Sequence, residues 1–278
     1  MQDARLSSCY LSTDRQKEPT MAELALVTGA SSGIGREIAR LHAARGGDLI
    51  VTARREDALS ALKAELEAAH GITVHVVPLD LGAEGAADRL YETVRRMDLF
   101  PDILVNNAGF GGHGRMIDRD PAKDLAMIDL NVTALVTLCH RFGRDMAERG
   151  HGRILNVGSA AGYFPGPLQA TYFATKAFVN SFSQAIDHEL RPRGVTCTLL
   201  APGYVETEFA ERADLRGSMM VKQGGTSAEA VARSGYEGMR KGAILRVAPW
   251  IIAPVLRFVV PLVPRRILLS LIEKSQAK

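Results

Sequence analysis

The sequence predicts an α/β chain: one doubly wound domain built on a seven-stranded parallel sheet with helices on both faces. Three observations carry this. Short apolar runs of strand length alternate with stretches of helical length from Glu23 onward, and that order implies parallel strands with crossover helices, because a parallel pair cannot be closed by a hairpin. The strand runs read as buried. A chain of 278 residues, 46% of them hydrophobic, fits one large domain better than two small ones.

The elements follow in order. Residues 1–22 lack the apolar core of a signal peptide and read as a disordered leader, and Met21 opens the stretch in which the functional chain is expected to start. LALVTG is the first strand, IGREIARLHAARG a helix, DLIVTAR the second strand, EDALSALKAELEAAHG a helix and TVHVVPLDL the third strand. DILVNNAG, RILNVGS and VTCTLLAPG continue the sheet, separated by helices at about 122–149 and 171–190. Residues 208–226 are expected to form a mobile lid over an apolar ligand, with Gly217, Gly224 and Gly225 as hinges and Phe209, Leu215, Met219, Met220 and Val221 as contacts. A helix then starts at Thr226 with a capping box to Glu229. The domain spans 23–243, lid included, and 244–278 is an apolar C-terminal extension.

Ligands of such sheets sit beyond the carboxyl ends of the strands, and the motifs fall there. Thr28-Gly-Ala-Ser-Ser-Gly-Ile-Gly35 follows the first strand and opens the first helix. Gly29, Gly33 and Gly35 permit a tight turn and close backbone approach to a pyrophosphate, whose charge the helix N-terminus would meet. At the end of the second strand an acidic residue would bind a ribose 2′-hydroxyl and repel a 2′-phosphate. Ala53 occupies that slot and Arg54 and Arg55 follow, so a 2′-phosphate is favoured.

Tyr172 and Lys176, four residues apart on one helix, share a face. A hydride delivered to a carbonyl carbon builds negative charge on oxygen that a nearby proton donor must neutralise. A lysine ammonium beside a tyrosine favours the phenolate and is expected to bring its pKa toward neutrality. Ser159, thirteen positions before Tyr172, supplies a second hydroxyl, and Asn131 is an odd choice inside an apolar helical stretch.

TGASSGIG has the TGxxxGIG spacing of the short-chain dehydrogenase/reductase family, and the likeness continues through LVNNAG, the Ser and YxxxK set and the PG turn, over residues 24 to about 210. The chain is identified as resembling that family and its Rossmann-type fold. The resemblance implies a catalytic set of Asn131, Ser159, Tyr172 and Lys176, with Tyr172 as proton donor in reduction, Ser159 positioning the carbonyl oxygen, Lys176 holding the nicotinamide ribose, and Asn131 supporting a proton relay. It implies a cofactor site of Gly29, Ser31, Ser32, Gly33, Ile34, Gly35, Arg54, Arg55, Asp80, Leu81, Asn107, Ala108, Gly109, Tyr172, Lys176, Pro202, Gly203, Val205 and Thr207. Asp80 and Leu81 stand for the pair beside the adenine, Asn107 to Gly109 for the turn at the adenosine ribose, and Val205 and Thr207 for contacts to the carboxamide. NADP(H) is the expected cofactor, NAD(H) the second choice, and Ser32 stands where many NADP-preferring relatives carry a basic residue.

The implied activity is reduction of a lipophilic ketone or aldehyde, such as a 3-oxoacyl chain or a steroid-like ketone. The alternatives are an alcohol dehydrogenase working oxidatively and a cofactor-sensing binding protein. Phe110, His113, Tyr163, Phe164 and Leu168 are candidate pocket walls. No His, Cys or acidic cluster has metal-ligand spacing, so no metal is expected. The net charge of +3 is spread along the chain, against a nucleic-acid partner. Cys9, Cys139 and Cys197 are too scattered for a disulfide framework, so a reducing cytoplasm is the expected compartment. The helical faces Leu125/Ile128/Val132 and Phe178/Phe182/Ile186 are candidates for a homodimer or homotetramer contact. In the extension, the longest uncharged run, Val247 to Leu256, is ten residues, short of the roughly 18 a bilayer span needs. Four prolines break any long helix there. It is read either as a packed extension or as a segment lying on a membrane.

Overall fold

The computed structural model describes residues 22–222 and 224–278, so the leader lies almost wholly outside the described residues. Seven strands form one parallel sheet in the order β3-β2-β1-β4-β5-β6-β9. They are β1 (Leu24–Thr28), β2 (Asp48–Ala53), β3 (Val74–Pro78), β4 (Ile103–Asn106), β5 (Gly152–Val157), β6 (Val195–Pro202) and β9 (Leu245–Ala248). A separate two-residue pairing joins β7 (Val205–Glu206) to β8 (Thr226–Ser227). The last strand of the sheet thus comes from the stretch assigned to the extension, and a domain boundary at 243 cuts the sheet one strand short.

Successive residues of each strand face opposite sides. Ala25 and Val27 join Ile38 and Ala39 of α1 (Gly33–Ala43), Leu59 and Leu62 of α2 (Glu56–His70) and Val231 and Tyr236 of α9 (Ala228–Arg240). On the other side Leu26 and Leu104 join Leu90 of α3 (Ala86–Arg96), Phe142 of α5 (Leu135–Arg149) and Val179 of α6 (Ala170–Leu190). With both faces covered, the strands carry continuous apolar runs.

The chain builds outward from β1 to β3, then crosses back to place β4 on the other flank of β1. Loops leaving β1 and β4 therefore diverge and open a crevice at the carboxyl edge. The helix expected at about 122–149 is α4 (Pro121–Ile128), a π-helical stretch Asp129–Ala134, and α5. Asn131 lies in the π stretch, a wider coil that frequently marks functional sites.

The region 208–226 contains two four-residue helices, α7 (Phe209–Arg212) and α8 (Met219–Lys222), around a small core of Ala210, Ala213 and Leu215. Leu215 fills that core and is 1% exposed. Gly217 and Gly224 take φ of +91° and +77°, a left-handed backbone that glycine adopts without a Cβ penalty. The cap of α9 is Ser227 rather than Thr226: its hydroxyl accepts from the Ala230 amide at 3.2 Å, while Thr226 pairs in β8. Glu229 is free of the capping box and bridges Arg233 at 3.0 Å.

After β9, Trp250–Leu262 winds through short 3-10 and π turns into α10 (Arg265–Gln276). Leu256, Val260 and Leu268 pack with Ala160, Tyr163 and Phe164, so one side of the extension is part of the fold.

Candidate active site

A cleft of about 320 Å³ opens at the carboxyl edge, bounded by the loops after β1, β2, β3, β4, β5 and β6. Of the expected cofactor residues, Gly29, Ser31, Ser32, Gly33, Ile34, Arg54, Arg55, Asp80, Leu81, Asn107, Ala108, Gly109, Tyr172, Lys176, Pro202, Gly203, Val205 and Thr207 line it. Gly35 lies behind the lining. A Cβ there would come within 2.4 Å of Asn107 Nδ2 and 2.6 Å of the Gly29 carbonyl oxygen.

The glycine turn is braced from β4. Asn107 Nδ2 donates to the carbonyls of Thr28 (2.9 Å) and Gly29 (3.2 Å), and Thr28 Oγ1 accepts from the amides of Asn107 (2.9 Å) and Ala108 (3.0 Å). The Asn107 side chain thus holds the turn in shape. Gly29 and Gly33 take φ of +65° and +56°. Helix α1 has no side-chain cap on its first amides and no acidic residue in its first turn, so those donors face the turn free for an anion. That arrangement fits a dinucleotide pyrophosphate.

At the end of β2, Arg54 is largely exposed and its nearest acid is Asp80, 3.9 Å away. Asp80 also works as a turn residue, its Oδ1 accepting from the Gly82 amide at 3.0 Å. Arg55 reaches across the cleft mouth instead, 3.1 Å from a Glu208 carboxylate oxygen and 3.3 Å from both the carbonyl and the hydroxyl of Ser31. Glu208 is also held by Arg212. Arg55 is therefore engaged with the start of the 208–226 segment.

Tyr172, Lys176 and Asn180 project at four-residue spacing along α6 and meet Ser159 at the end of β5. Ser159 is buried, its Oγ accepting from the Ala161 amide at 3.1 Å and lying 3.4 Å from the Pro202 carbonyl. The Tyr172 ring is packed at 5.3 Å against Phe209 of α7. Burial pushes its phenol up to about 12, against a hydrogen bond with Ser159 that acts downward. The expectation that Lys176 draws the phenol toward neutrality is not met: the ammonium donates to the Val157 carbonyl at 2.8 Å and stands 5.9 Å from the Tyr172 ring centre. Burial brings Lys176 itself down to about 8.

Asn131 is also buried, its Nδ2 donating to the Phe110 carbonyl (2.9 Å) and Thr175 Oγ1 (3.1 Å), and its Oδ1 accepting from the Phe110 amide (3.1 Å). A Cβ on Gly109 would lie 2.9 Å from Asn131 Oδ1 and 3.7 Å from Lys176 Nζ, so all three meet at one wall. At the start of α7, Thr207 Oγ1 accepts from the Phe209 amide at 3.2 Å. Among the expected walls, Phe110 lines the cleft, Tyr163 and Phe164 pack under the extension, and His113 Nε2 lies 2.9 Å from the Gln276 carbonyl oxygen. Among the described residues no group of three His, Cys, Asp or Glu side chains is placed to hold a metal.

The family model described as short chain dehydrogenase matches residues 23–216. The chain belongs to the short-chain dehydrogenase family. It is therefore an oxidoreductase that uses a nicotinamide dinucleotide. Sulfoacetaldehyde reductase 2 of Chromohalobacter salexigens is 40% identical over 200 residues, 68% of this chain and 75% of that protein. The 3-oxoacyl-acyl-carrier-protein reductase of Escherichia coli is 35% identical over 187 residues, 67% of this chain and 75% of that protein. A short-chain dehydrogenase from Sphingobium yanoikuyae, solved in complex with NADPH, superposes with a TM-score of 0.79 at 30% identity, over 92% of this chain and 98% of that one. A bulky-bulky ketone specific alcohol dehydrogenase from Comamonas testosteroni gives a TM-score of 0.75 at 28% identity, over 93% and 98%.

Two residues of this dehydrogenase escaped the sequence reading. Asn180 is buried on α6 and clamps Ser159 through both ends of its amide, Nδ2 to the Ser159 carbonyl at 2.9 Å and Oδ1 from the Ser159 amide at 3.3 Å. Glycines 158 and 162 leave the room: a Cβ on either would lie 2.1 or 2.4 Å from the Asn180 amide. Its signal was its position, four residues beyond Lys176 on the same face. Glu208, the partner of Arg55, had no such signal.

Proposed function

We propose that this chain is an NADP(H)-dependent reductase of lipophilic ketones or aldehydes, with Tyr172 as general acid. The observation that carries this is the convergence of Ser159, Tyr172 and Lys176 in the cleft that also holds the glycine turn, under the aromatic face of Phe209. A bound nicotinamide supplies the hydride. Ser159 orients the carbonyl oxygen, and Tyr172, which holds its proton far above neutral pH, gives it to that oxygen as charge develops. Lys176 holds the ribose hydroxyls, and Asn131, on the same wall, connects it toward solvent.

In this reading the amides of Gly29 to Gly35, with Ser31, Ser32 and Ile34, cradle the pyrophosphate. Arg54 meets a 2′-phosphate, assisted by Arg55 when it leaves Glu208, and Ala53 offers no carboxylate to repel that group. Asp80 and Leu81 flank the adenine, Asn107 to Gly109 the ribose, and Pro202, Gly203, Val205 and Thr207 the carboxamide. The NADPH bound by the Sphingobium protein supports the cofactor, and the ketone specificity named for the Comamonas protein supports a bulky substrate. The intact catalytic set argues against a cofactor-sensing role, and the relatives named as reductases favour reduction over the oxidative direction. Leu125, Ile128 and Phe178 are exposed, with Phe178 stacked on Phe182 at 5.6 Å, which supports a homo-oligomer joined through α4 and α6.

The test is NADPH oxidation over a panel of ketones graded by chain length and bulk. Turnover should rise with bulk; turnover confined to small polar aldehydes would overturn the substrate class and leave the reaction standing.

A further inference from the structure

The extension is apolar on two sides. Ile252, Leu256 and Val260, at four-residue spacing, turn inward onto Ala160, Tyr163 and Phe164. The opposite side is bare: Trp250 and Leu262 are 79% and 82% exposed, Ile251, Phe258 and Val259 are exposed between them, and Ile267 and Leu271 continue the strip along α10. A helical segment that is hydrophobic all round is ordinarily covered all round, and contiguous bare patches of this kind mark a docking face.

Charge selects the occupant. From Val247 to Ile272 there is no acidic residue, and Arg257, Arg265 and Arg266 are the charged ones. All three are exposed, and among the described residues none of them is in an ion pair. A second copy meeting this face about a twofold axis would set a purely cationic apolar patch against itself, which like charges oppose. An anionic lipid surface complements both properties. The segment Trp250–Leu262 is too short to cross a bilayer, so its geometry is that of a segment lying in the interface.

We infer that this face docks on anionic phospholipid, with Trp250 at the headgroup boundary and Arg257, Arg265 and Arg266 against the phosphates. The docked element is joined to the segment after β4 and to the 208–226 region. Glu273 stands 3.7 Å from Arg115, His113 bonds the Gln276 carbonyl, and Lys278 Nζ lies 2.6 Å from Asp214 of the lid region. Docking holds whichever carbonyl the enzyme reduces, because none of the docking residues lines the cleft.

The experiment is co-sedimentation of the full chain at low salt with vesicles of phosphatidylcholine and phosphatidylglycerol, beside vesicles of phosphatidylcholine alone. The chain should pellet with the anionic vesicles and be released as salt rises. Each arginine changed to Gln should weaken binding about fivefold, on the order of one surface cation's contribution. Leu262→Glu should abolish binding while thermal stability, oligomeric mass and turnover of a water-soluble carbonyl stay as they were. A chain that remains in the supernatant with both vesicle types overturns the proposal, as does full binding by the triple Arg→Gln variant. If Leu262→Glu splits an oligomer, the face belongs to a second copy and the proposal also fails.

Discussion

Replacing Asn180 by Ala removes two hydrogen bonds to the Ser159 backbone, one at 2.9 Å and one at 3.3 Å, inside a buried site, and leaves the Ser159 carbonyl its bond from the Gly162 amide at 3.1 Å. The Ser159 amide is then the orphaned group, at a cost of about 1–3 kcal/mol. With the weakened carbonyl still bonded to Gly162 and the vacated space beside Gly158 and Gly162 left unfilled, the expected loss lies mid-range, about 2 kcal/mol in total. For a chain of this size that lowers Tm by roughly 4–8 °C. The same change frees Ser159 Oγ from its place beside Tyr172, so kcat should fall tenfold or more while NADPH affinity stays close to the original, since Asn180 is not part of the cleft lining. Thermal unfolding followed by fluorescence, together with steady-state NADPH oxidation, reads both effects. Combining Asn180→Ala with Ser159→Ala should cost little more activity than Ser159→Ala alone. Full additivity of the two losses, or an unchanged kcat in the single variant, would refute the positioning argument.

Tyr172→Phe should abolish turnover with cofactor affinity nearly intact, because the hydroxyl carries the proton and the ring does not hold the dinucleotide; substantial residual kcat on an accepted carbonyl counts against the mechanism. Arg54→Ala should raise KM for NADPH about tenfold and leave NADH unaffected, the low end for a charge-assisted contact because the side chain is exposed; equal KM values for both cofactors in the unmodified enzyme would end the NADP(H) assignment. Lys176 sits near 8, below its ordinary 10.5, while Tyr172 keeps its proton to about 12. Reductive kcat/KM of the free enzyme should therefore fall as pH rises through about 8, and a flat profile there would remove Lys176 from the reaction. For stability the sign is opposite: the unfolded chain binds the extra proton between about 8 and 10.5, so this group's contribution grows with rising pH across that window. Light scattering at micromolar protein should give a multiple of the 30.1 kDa chain mass; a monomer would leave the Leu125, Ile128 and Phe178 face without a partner.

The sheet was legible up to β6 because its signals are local. Continuous apolar runs, the glycine turn and the four-residue spacing of Tyr172 and Lys176 each lie within a few residues, where backbone sterics and periodicity act directly. Most residues of the cleft were legible for the same reason, as they stand at the end of a strand or on one helix face; Glu208, which also lines it, carried no such signal. The tertiary structure alone decided how distant parts share those groups. Only contact with β6 turns Leu245–Ala248 into a sheet strand, since its sequence reads as the start of an apolar tail. Only the fold carries Arg55 to Glu208, 153 positions away, instead of leaving it to solvent. Burial, a property of the whole packing, holds Tyr172 up and Lys176 down where spacing predicted that the lysine would govern the tyrosine. The extension shows the same division. Its composition marked it as apolar, but which side packs under Leu256 and which side lies bare at Trp250 and Leu262 depends on where Ala160, Tyr163 and Phe164 stand, and no local pattern contains that.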